Sequence, residues 1–286
     1  MTPIIEARGL SKKYRGGKQA VAGVDFTVGP GRIVGLIGRN GAGKTSVIKS
    51  LLGLTHYEGH LSVLGRNPTT ERDLLMREVS FIADVAVLPK WLTVRHALEY
   101  VQGVHPAFNR ERAEQFLATT DVQMKHKVRQ LSKGMVTQLH LALVLAIRAR
   151  LLVLDEPTLG LDLLVRRRFY DTLLNDYMDE ERTILVTTHQ VEEVEHLLTD
   201  VLFIEQGRIA LDSAVDAIGE RYSQLIVRQE QLAAARSFGP FSERSMLGRT
   251  VLFYENAPRE RLAGLGDLGT PSIADLFVAC MQKETA

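Results

Sequence analysis

The residues best suited to chemistry form a glycine-rich segment with the spacing G-x-x-x-x-G-K-[ST]. Its eight residues are Gly38, Arg39, Asn40, Gly41, Ala42, Gly43, Lys44 and Thr45. Glycines permit backbone angles that are closed to other residues, so successive N–H groups can converge on one anion. Lys44 adds a mobile cation, and the Thr45 hydroxyl is a ligand type that suits Mg²⁺. The segment predicts a site for nucleotide phosphates; the alternative is a glycine-rich turn with a chance lysine.

Two carboxylates and a histidine follow apolar runs farther along the chain. Asp155 and Glu156 come directly after residues 151–154, and His189 follows residues 184–187. Because the carboxyl ends of parallel strands meet at one edge of a sheet, we expect these side chains to lie near the phosphate site. A carboxylate there is placed to coordinate Mg²⁺. The alternatives are a strand that ends in a solvated acidic turn and a histidine with a structural role.

The elements around these residues predict an α/β fold. Residues 33–37 are apolar and branched, as in a buried strand, and residues 46–52 predict a helix. The glycine-rich segment therefore lies in a strand–loop–helix context, which makes the motif specific. Residues 79–82 and 200–205 predict further strands. From residue 91 to 120 the apolar periodicity is helical, which predicts a helical insert.

The character of the sequence changes after residue 212. The rest of the chain carries scattered strand signals, many charges and a terminal helix over residues 272–283. Such a length suffices for a small α+β unit with a thin core. We therefore expect one domain at residues 1–212, with its helical part at about 90–150, and an accessory extension at residues 213–286.

Composition excludes several classes of protein. The 35 basic and 34 acidic residues leave a net charge of +1, so no charge imbalance indicates a nucleic-acid partner. The densest basic run, residues 166–168, is expected on a solvated helix face. The single cysteine, Cys280, excludes an internal disulfide and a multi-cysteine metal site. No apolar run approaches the ~18 residues that span a bilayer, so we expect any membrane contact to go through a partner.

Five motifs together resemble the ATP-binding subunits of ABC transporters. GRNGAGKT, LSKGM, LLVLDEP, TLGLD and TTH follow in that family's order, and residues 46–130 separate the first two. Chromosome-condensation and break-repair ATPases resemble the same cassette but insert a long coiled coil there, and no heptad run exists here. The resemblance covers residues 1 to about 212. It implies a P-loop NTPase cassette with a mostly parallel core sheet, an antiparallel β subdomain and a helical subdomain. The small C-terminal α+β extension resembles, more loosely, that of bacterial export-type subunits.

The resemblance implies a role for each residue of the site. Tyr14 would stack on the adenine of ATP, although taken alone it also fits a half-buried loop ring. The glycine-rich segment would hold the phosphates, and Thr45 with Asp155 would hold Mg²⁺. Glu156 would polarise the attacking water, and His189 would contact the γ-phosphate and keep that water in line. This division suits phosphoryl transfer, in which positioning and charge neutralisation carry most of the catalysis.

Other motif residues would act between two subunits. In the family, two cassettes sandwich two ATP molecules head to tail. Ser132 and Gly134 of LSKGM would close over the γ-phosphate held by the other subunit, and Asp162 would lie across the seam. Taken alone, LSKGM is also an ordinary helix N-cap. The implied assembly is a homodimer, or a heterodimer with a second cassette, bound to integral membrane permease subunits. It would lie on the cytoplasmic face of the cell membrane, export a substrate and bind no nucleic acid.

Two departures from the family pattern stand out. Asp84 occupies the position of a glutamine that usually reaches Mg²⁺, and we expect its carboxylate to retain metal contact. Lys133 replaces a glycine of the signature, and we expect its side chain to point to solvent. Residues 85–92 resemble part of the groove that receives a permease helix, where Trp91 is either an anchor or part of the core of the helical insert.

Two other functions compete with a transport ATPase. Soluble regulatory ATPases of the same superfamily usually carry two cassettes on one chain, whereas this sequence holds one P-loop and one signature. A cassette that senses nucleotide without hydrolysing it would be expected to lack the general base. The presence of Glu156 and His189 argues against that alternative.

Overall fold

The computed structural model describes residues 2–83, 88–159, 161, 163–177 and 181–283. Within these ranges the strands are β1 (Ile5–Lys13), β2 (Gln19–Val28), β3 (Ile33–Ile37), β4 (Glu58–Val63), β5 (Val79–Ile82), β6 (Leu151–Asp155), β7 (Thr183–Thr188), β8 (Asp200–Glu205), β9 (Arg208–Ala214), β10 (Tyr222–Val227), β11 (Ser242–Met246), β12 (Arg249–Glu255) and β13 (Asp267–Gly269). The helices are α1 (Lys44–Leu51), α2 (Arg72–Leu75), α3 (Val94–Val104), α4 (Arg110–Ala118), α5 (Lys133–Leu145), α6 (Leu163–Thr172), α7 (Val215–Arg221), α8 (Leu232–Arg236), α9 (Arg259–Leu262) and α10 (Ile273–Lys283).

A six-stranded sheet forms the centre, in the order β5-β6-β7-β3-β8-β9. The pairs from β5 to β8 are parallel, and β9 closes the edge in antiparallel orientation. β3 and β6 are buried along their whole length because both faces of the sheet are covered. The register places Ile37 opposite Thr188 and Asp155 opposite Thr187. The carboxyl ends of β3, β6 and β7 therefore meet at one edge, as the sequence predicted.

The two faces of this sheet bury different elements. Val34 and Leu36 of β3 pack in one cluster with α1 and with the antiparallel sheet β2-β1-β4. Ile33 and Ile37 pack on the other face in a cluster that includes residues of α5, α6 and α10. This division follows from the alternation of side chains along a strand. The parallel core and the antiparallel β subdomain expected from the sequence are both present.

A third cluster holds α3, α4 and α5 together as the expected helical insert. Its buried residues include Val94, Leu98, Ala113, Leu117 and Leu139. Thr93 and Asn109 accept hydrogen bonds from backbone N–H groups in the first turns of α3 and α4, as N-cap residues do. Trp91 lies just before α3 and is 71% exposed, so its assignment to the core of the insert is wrong. Among the described residues, no helix combines the length and apolar character needed to cross a membrane.

The C-terminal part of the chain adds a four-stranded antiparallel sheet in the order β11-β12-β10-β13. This sheet has its own buried cluster, which includes Leu225, Leu252, Tyr254 and Leu262. The last helix packs on both sheets: Ala279 of α10 is buried with Val251 and Phe253 of β12, and other residues of α10 join the cluster on the central sheet. The ring of Phe277 in α10 meets that of Phe203 in β8 edge to face, with centroids 5.2 Å apart. α10 thereby ties the end of the chain to the core of the cassette.

Candidate active site

The glycine-rich segment joins β3 to α1 and packs directly against β2. Gly41 and Gly43 adopt φ angles of +84° and +119°, which L side chains rarely adopt. A Cβ atom at Gly43 would lie 2.4 Å from the carbonyl oxygen of Ala20. Within the loop, the N–H of Ala42 donates to the carbonyl of Arg39 at 3.1 Å. Glycine at position 43 is therefore required both by its backbone angle and by the approach of β2.

The start of α1 suits an anion. Gly43 is its N-cap residue, and no side chain caps the helix among the described residues. The first N–H groups of a helix lack intrahelical partners and carry partial positive charge. Lys44, the first residue of α1, is buried, and its Nζ donates to the carbonyl oxygen of Gly38 at 2.6 Å. A helix end and an ammonium group thus lie together at the base of the loop, which is the pattern of a phosphate site.

The carboxylates at the end of β6 are held by β7. Asp155 is buried and accepts a hydrogen bond from the Thr187 hydroxyl at 2.7 Å. The backbone N–H of Glu156 lies 3.2 Å from the Thr187 carbonyl oxygen and 3.1 Å from its hydroxyl oxygen. Glu156 adopts a φ of +49°. Such backbone strain in a non-glycine residue persists only where the surroundings fix it, and it is common at functional sites.

Glu156 lies between two nitrogen groups. Its Oε1 is 3.1 Å from Nζ of Lys44, and its Oε2 is 2.9 Å from Nδ1 of His189. The side chain of Glu156 is 13% exposed. A carboxylate held in this way has a fixed direction and a path to solvent, as a group that acts on water requires.

Lys44, Asp155 and Glu156 line a cavity of about 260 Å³, and His189 adjoins it through its contact with Glu156. Its walls are formed by Tyr14, Lys18, Ala20, Arg39, Asn40, Gly41, Gly43, Lys44, Thr45, Ser46, Asp155 and Glu156. The hydroxyl of Tyr14 lies 3.2 Å from Oγ of Ser46, and Nζ of Lys12 lies 4.9 Å from the centre of the Tyr14 ring. Tyr14 is 39% exposed, so its ring offers an aromatic surface within the cavity wall.

Comparisons with known proteins agree with this geometry. The family described as ABC transporter matches residues 21–159. The Nod factor export ATP-binding protein I of Burkholderia thailandensis is 33% identical over 307 residues, which cover 98% of this chain and 97% of that protein. Its counterpart in Burkholderia lata is 35% identical over 223 residues, which cover 76% of this chain and 72% of that protein. The chain belongs to the ABC transporter family.

A solved structure agrees with that assignment. The structure, described as the ATP binding subunit of an ABC transporter, is 25% identical and has a TM-score of 0.69 over 76% of this chain and 92% of that one. The resemblance inferred from the five motifs is thereby confirmed. As an ABC transporter ATP-binding subunit, the protein binds ATP and is an ATPase whose hydrolysis is coupled to transport.

Ser132 and Gly134 of the LSKGM motif do not line this cavity. Ser132 is exposed and caps α5 by accepting a hydrogen bond from the N–H of Met135 at 3.2 Å. Among the described residues, a Cβ atom at Gly134 would meet only the Ser132 hydroxyl oxygen, at 3.9 Å, so the corner they form is open. The predicted site residues Asp84 and Asp162 lie outside the described residues.

Three residues of the site were not predicted from the sequence. Thr187 fixes Asp155, Ser46 contacts Tyr14, and Lys12 lies over the Tyr14 ring. Only Thr187 left a signal, because a hydroxyl within a fully buried strand such as β7 needs a polar partner.

Proposed function

We propose that the cavity holds ATP, with its phosphates on the glycine-rich loop and its adenine on Tyr14. The observation that carries the proposal is the position of Glu156, whose carboxylate lies between Lys44 and His189 beside the loop. Lys44 and the first N–H groups of α1 supply the positive charge that a triphosphate needs. Stacking of the adenine ring on Tyr14 needs only an aromatic face, because it requires no hydrogen bonds to the base.

The same cavity fits Mg²⁺. Thr45 and Asp155 both line it, and hydroxyl and carboxylate oxygens are the ligands that Mg²⁺ takes beside a nucleotide. Asp84 is our third candidate, on the strength of the family pattern alone. When bound, Mg²⁺ would neutralise charge on the phosphate oxygens.

In the proposed hydrolysis, this chain's own residues position a water molecule and the γ-phosphate. Glu156 accepts a hydrogen bond from the water, so that a lone pair of the water oxygen points at the γ-phosphorus. As that oxygen bonds to phosphorus, the bond from phosphorus to the β–γ bridging oxygen breaks, and ADP leaves with the electron pair. His189 contacts the γ-phosphate and orients Glu156 through the 2.9 Å contact. Such positioning of a nucleophile is the main contribution that a protein makes to phosphoryl transfer.

We propose that the site is completed by a second cassette, in a homodimer or in a heterodimer. The open corner of Ser132 and Gly134 would then close over the γ-phosphate of the partner, and Asp162 would lie at the seam. Two further residues favour an interface at this seam. Leu163 and Leu164 at the start of α6 are adjacent and are 78% and 73% exposed, and contiguous exposed apolar side chains are typical of interaction sites.

We propose that a separate membrane permease binds the helical insert. Trp91, Tyr100 and Val104 are exposed large side chains at the start of the insert and on α3. Aromatic residues of this kind are typical anchors in protein interfaces. The subunit would then lie on the cytoplasmic face of the cell membrane. Export is the direction that we propose, and the names of the Nod factor export relatives support it.

We propose that the chain consists of an ATPase domain at residues 1–212 and an accessory extension at residues 213–286. The antiparallel sheet of β10–β13 and its own buried cluster support a separate extension.

Glu156→Gln tests the proposed site. The amide keeps the shape of the side chain but no longer attracts a proton from water, so we expect turnover to fall at least about 100-fold while ATP still binds. With Mg²⁺ and ATP, this variant should elute as a dimer in size-exclusion chromatography. Glu220→Gln, an exposed change on α7, is the matched control and should leave turnover unchanged.

Two results would contradict the proposal. The role of Glu156 is wrong if the variant hydrolyses ATP at the wild-type rate. The shared site is wrong if the ATP-bound variant stays monomeric, because Ser132 would then have no second nucleotide to contact.

A further inference from the structure

Arg166 of α6 contacts the segments on both sides of the active site. Its Nε donates to the carbonyl oxygen of Leu161 at 2.7 Å. Its Nη1 donates to Oε1 of Gln190 at 3.3 Å and forms an ion pair with Oε1 of Glu193. One guanidinium thus holds three acceptors that come from two different loops.

These two loops are the ones that carry the reacting groups. Residues 157–161 follow Glu156 directly, and Gln190 is the residue after His189. The contacts of Arg166 therefore join the segment that follows Glu156 to the segment that follows His189. Glu156 and His189 meet at 2.9 Å, so a small shift of either loop changes that contact.

Glu193 makes a second connection between the same loops. Its Oε2 accepts a hydrogen bond from the Thr158 hydroxyl at 3.2 Å, and that hydroxyl lies 3.2 Å from the hydroxyl of Tyr170. Burial raises the pKa of Tyr170 to about 12, so the phenol stays neutral and keeps its hydrogen. Thr158 is thereby held between α6 and the short turn that contains Glu193.

The network is largely shielded from water. The side chains of Arg166 and Glu193 are 20% and 19% exposed. A shielded, hydrogen-bonded ion pair is screened less by salt than an exposed one and has a more fixed geometry. Arg167 and Arg168 are exposed, so only the first arginine of the triplet departs from the solvated face that the sequence predicted.

We propose that Arg166 is a positioning residue for ATP hydrolysis, which ties the turn after Glu156 to the segment after His189. The planar guanidinium suits this role because it donates in several fixed directions at once, which an ammonium group does not. A displacement of about 1 Å at a reacting group costs up to about 100-fold in rate. The inference rests on the proposed roles of Glu156 and His189.

Arg166→Lys tests the inference, because lysine keeps the positive charge but lacks the planar set of N–H donors of the guanidinium. The assay is steady-state Mg-ATP hydrolysis by the full-length chain, at a temperature where every variant is folded by circular dichroism. We expect kcat to fall about 10- to 100-fold, with KM for ATP within twofold of wild type. Arg167→Lys, one position along the same helix, is the matched control and should leave both constants unchanged.

A charge swap separates positioning from stability. Arg166→Glu combined with Glu193→Arg restores an ion pair but not the donors to Leu161 and Gln190. We expect the double variant to regain melting temperature relative to Arg166→Glu alone while kcat stays low.

Two outcomes would overturn the inference: turnover of Arg166→Lys within twofold of wild type, or recovery of kcat by the swap in parallel with melting temperature. Glu156→Gln, assayed beside these variants, identifies which proposal has failed. Loss of hydrolysis in Glu156→Gln with full turnover in Arg166→Lys refutes the role of Arg166 alone. If Glu156→Gln still hydrolyses ATP, the proposed role of Glu156, on which the role of Arg166 rests, is refuted.

Discussion

Gly43→Ala measures how firmly β2 holds the phosphate-binding loop. The new Cβ atom would lie 2.4 Å from the Ala20 carbonyl oxygen, below the 3.0 Å that Cβ contacts respect. The φ of +119° adds a strain of about 1–3 kcal/mol for an L residue. Relief of the overlap adds about 1–3 kcal/mol, because the backbone of β2 must move. We expect the free energy of unfolding to fall by about 2–6 kcal/mol.

Gly41→Ala is the matched control for this experiment. Gly41 has a φ of +84° in the same loop, but a Cβ atom there would meet nothing within 4 Å in the part of the chain that the structure describes. The control carries only the backbone strain, so we expect a loss of about 1–2 kcal/mol. Urea unfolding of the nucleotide-free chain, followed by far-UV circular dichroism, compares the two variants. Equal losses for Gly41→Ala and Gly43→Ala would refute the claim that contact with Ala20 constrains the loop.

Three other changes test separate parts of the molecule. Burial raises the pKa of Glu78, but hydrogen bonds from Arg150 and Arg66 outweigh it and leave that pKa below its ordinary value of 4.5. The stabilisation that ionised Glu78 gives the folded chain is therefore present above about pH 4.5 and is lost as the pH falls through the lower folded-state pKa. When the urea midpoint is measured against pH, Glu78→Gln should reduce its fall in this acid range. Phe277→Ala removes a buried ring from the core and should cost about 3–5 kcal/mol in urea unfolding, with a loss below 1 kcal/mol contradicting the packing of α10. Asp84→Gln restores the usual amide and should leave ATP turnover within a few-fold, and complete loss of turnover would contradict a metal contact that either side chain can make.

The core of the site was predictable from the sequence because its signals are local. A continuous apolar run followed by a glycine-rich loop or a carboxylate indicates a buried parallel strand and its functional edge. The structure places residues 38–45, Asp155, Glu156 and His189 together at that edge. The order of the strands in the sheet did not have to be predicted, because every parallel strand brings its carboxyl end to the same edge of the sheet.

The C-terminal region was predicted less completely because its elements are short. The sequence indicated scattered strands and a terminal helix, but α8 has five residues, α9 four and β13 three. Segments of this length contain too few residues to show a period of 3.6 or 2. Tertiary contacts with the buried cluster around Leu252 decide their structure instead.

Helix geometry explains why the arginine triplet was misjudged. Consecutive residues on an α-helix point about 100° apart, so three neighbours cannot share one solvated face. Arg166 therefore turns towards the loops while Arg167 and Arg168 stay exposed. α6 ends at Thr172, and a π-helical turn follows through Tyr177.

Residues that line the ATP cavity and residues that only tie its flanking loops together differ in what their loss should change. Asp155 is placed by the register of the central sheet, and Lys44 by the loop that follows β3. Both line the cavity, so changing either one should impair nucleotide binding together with hydrolysis. Arg166 and Glu193 are placed by contacts between loops and line no part of that cavity. Their loss should lower kcat and spare KM, because an interaction that only orients the reacting groups is expressed in the transition state. A kcat-against-KM comparison of the two sets therefore separates the residues that hold ATP from those that align its attack.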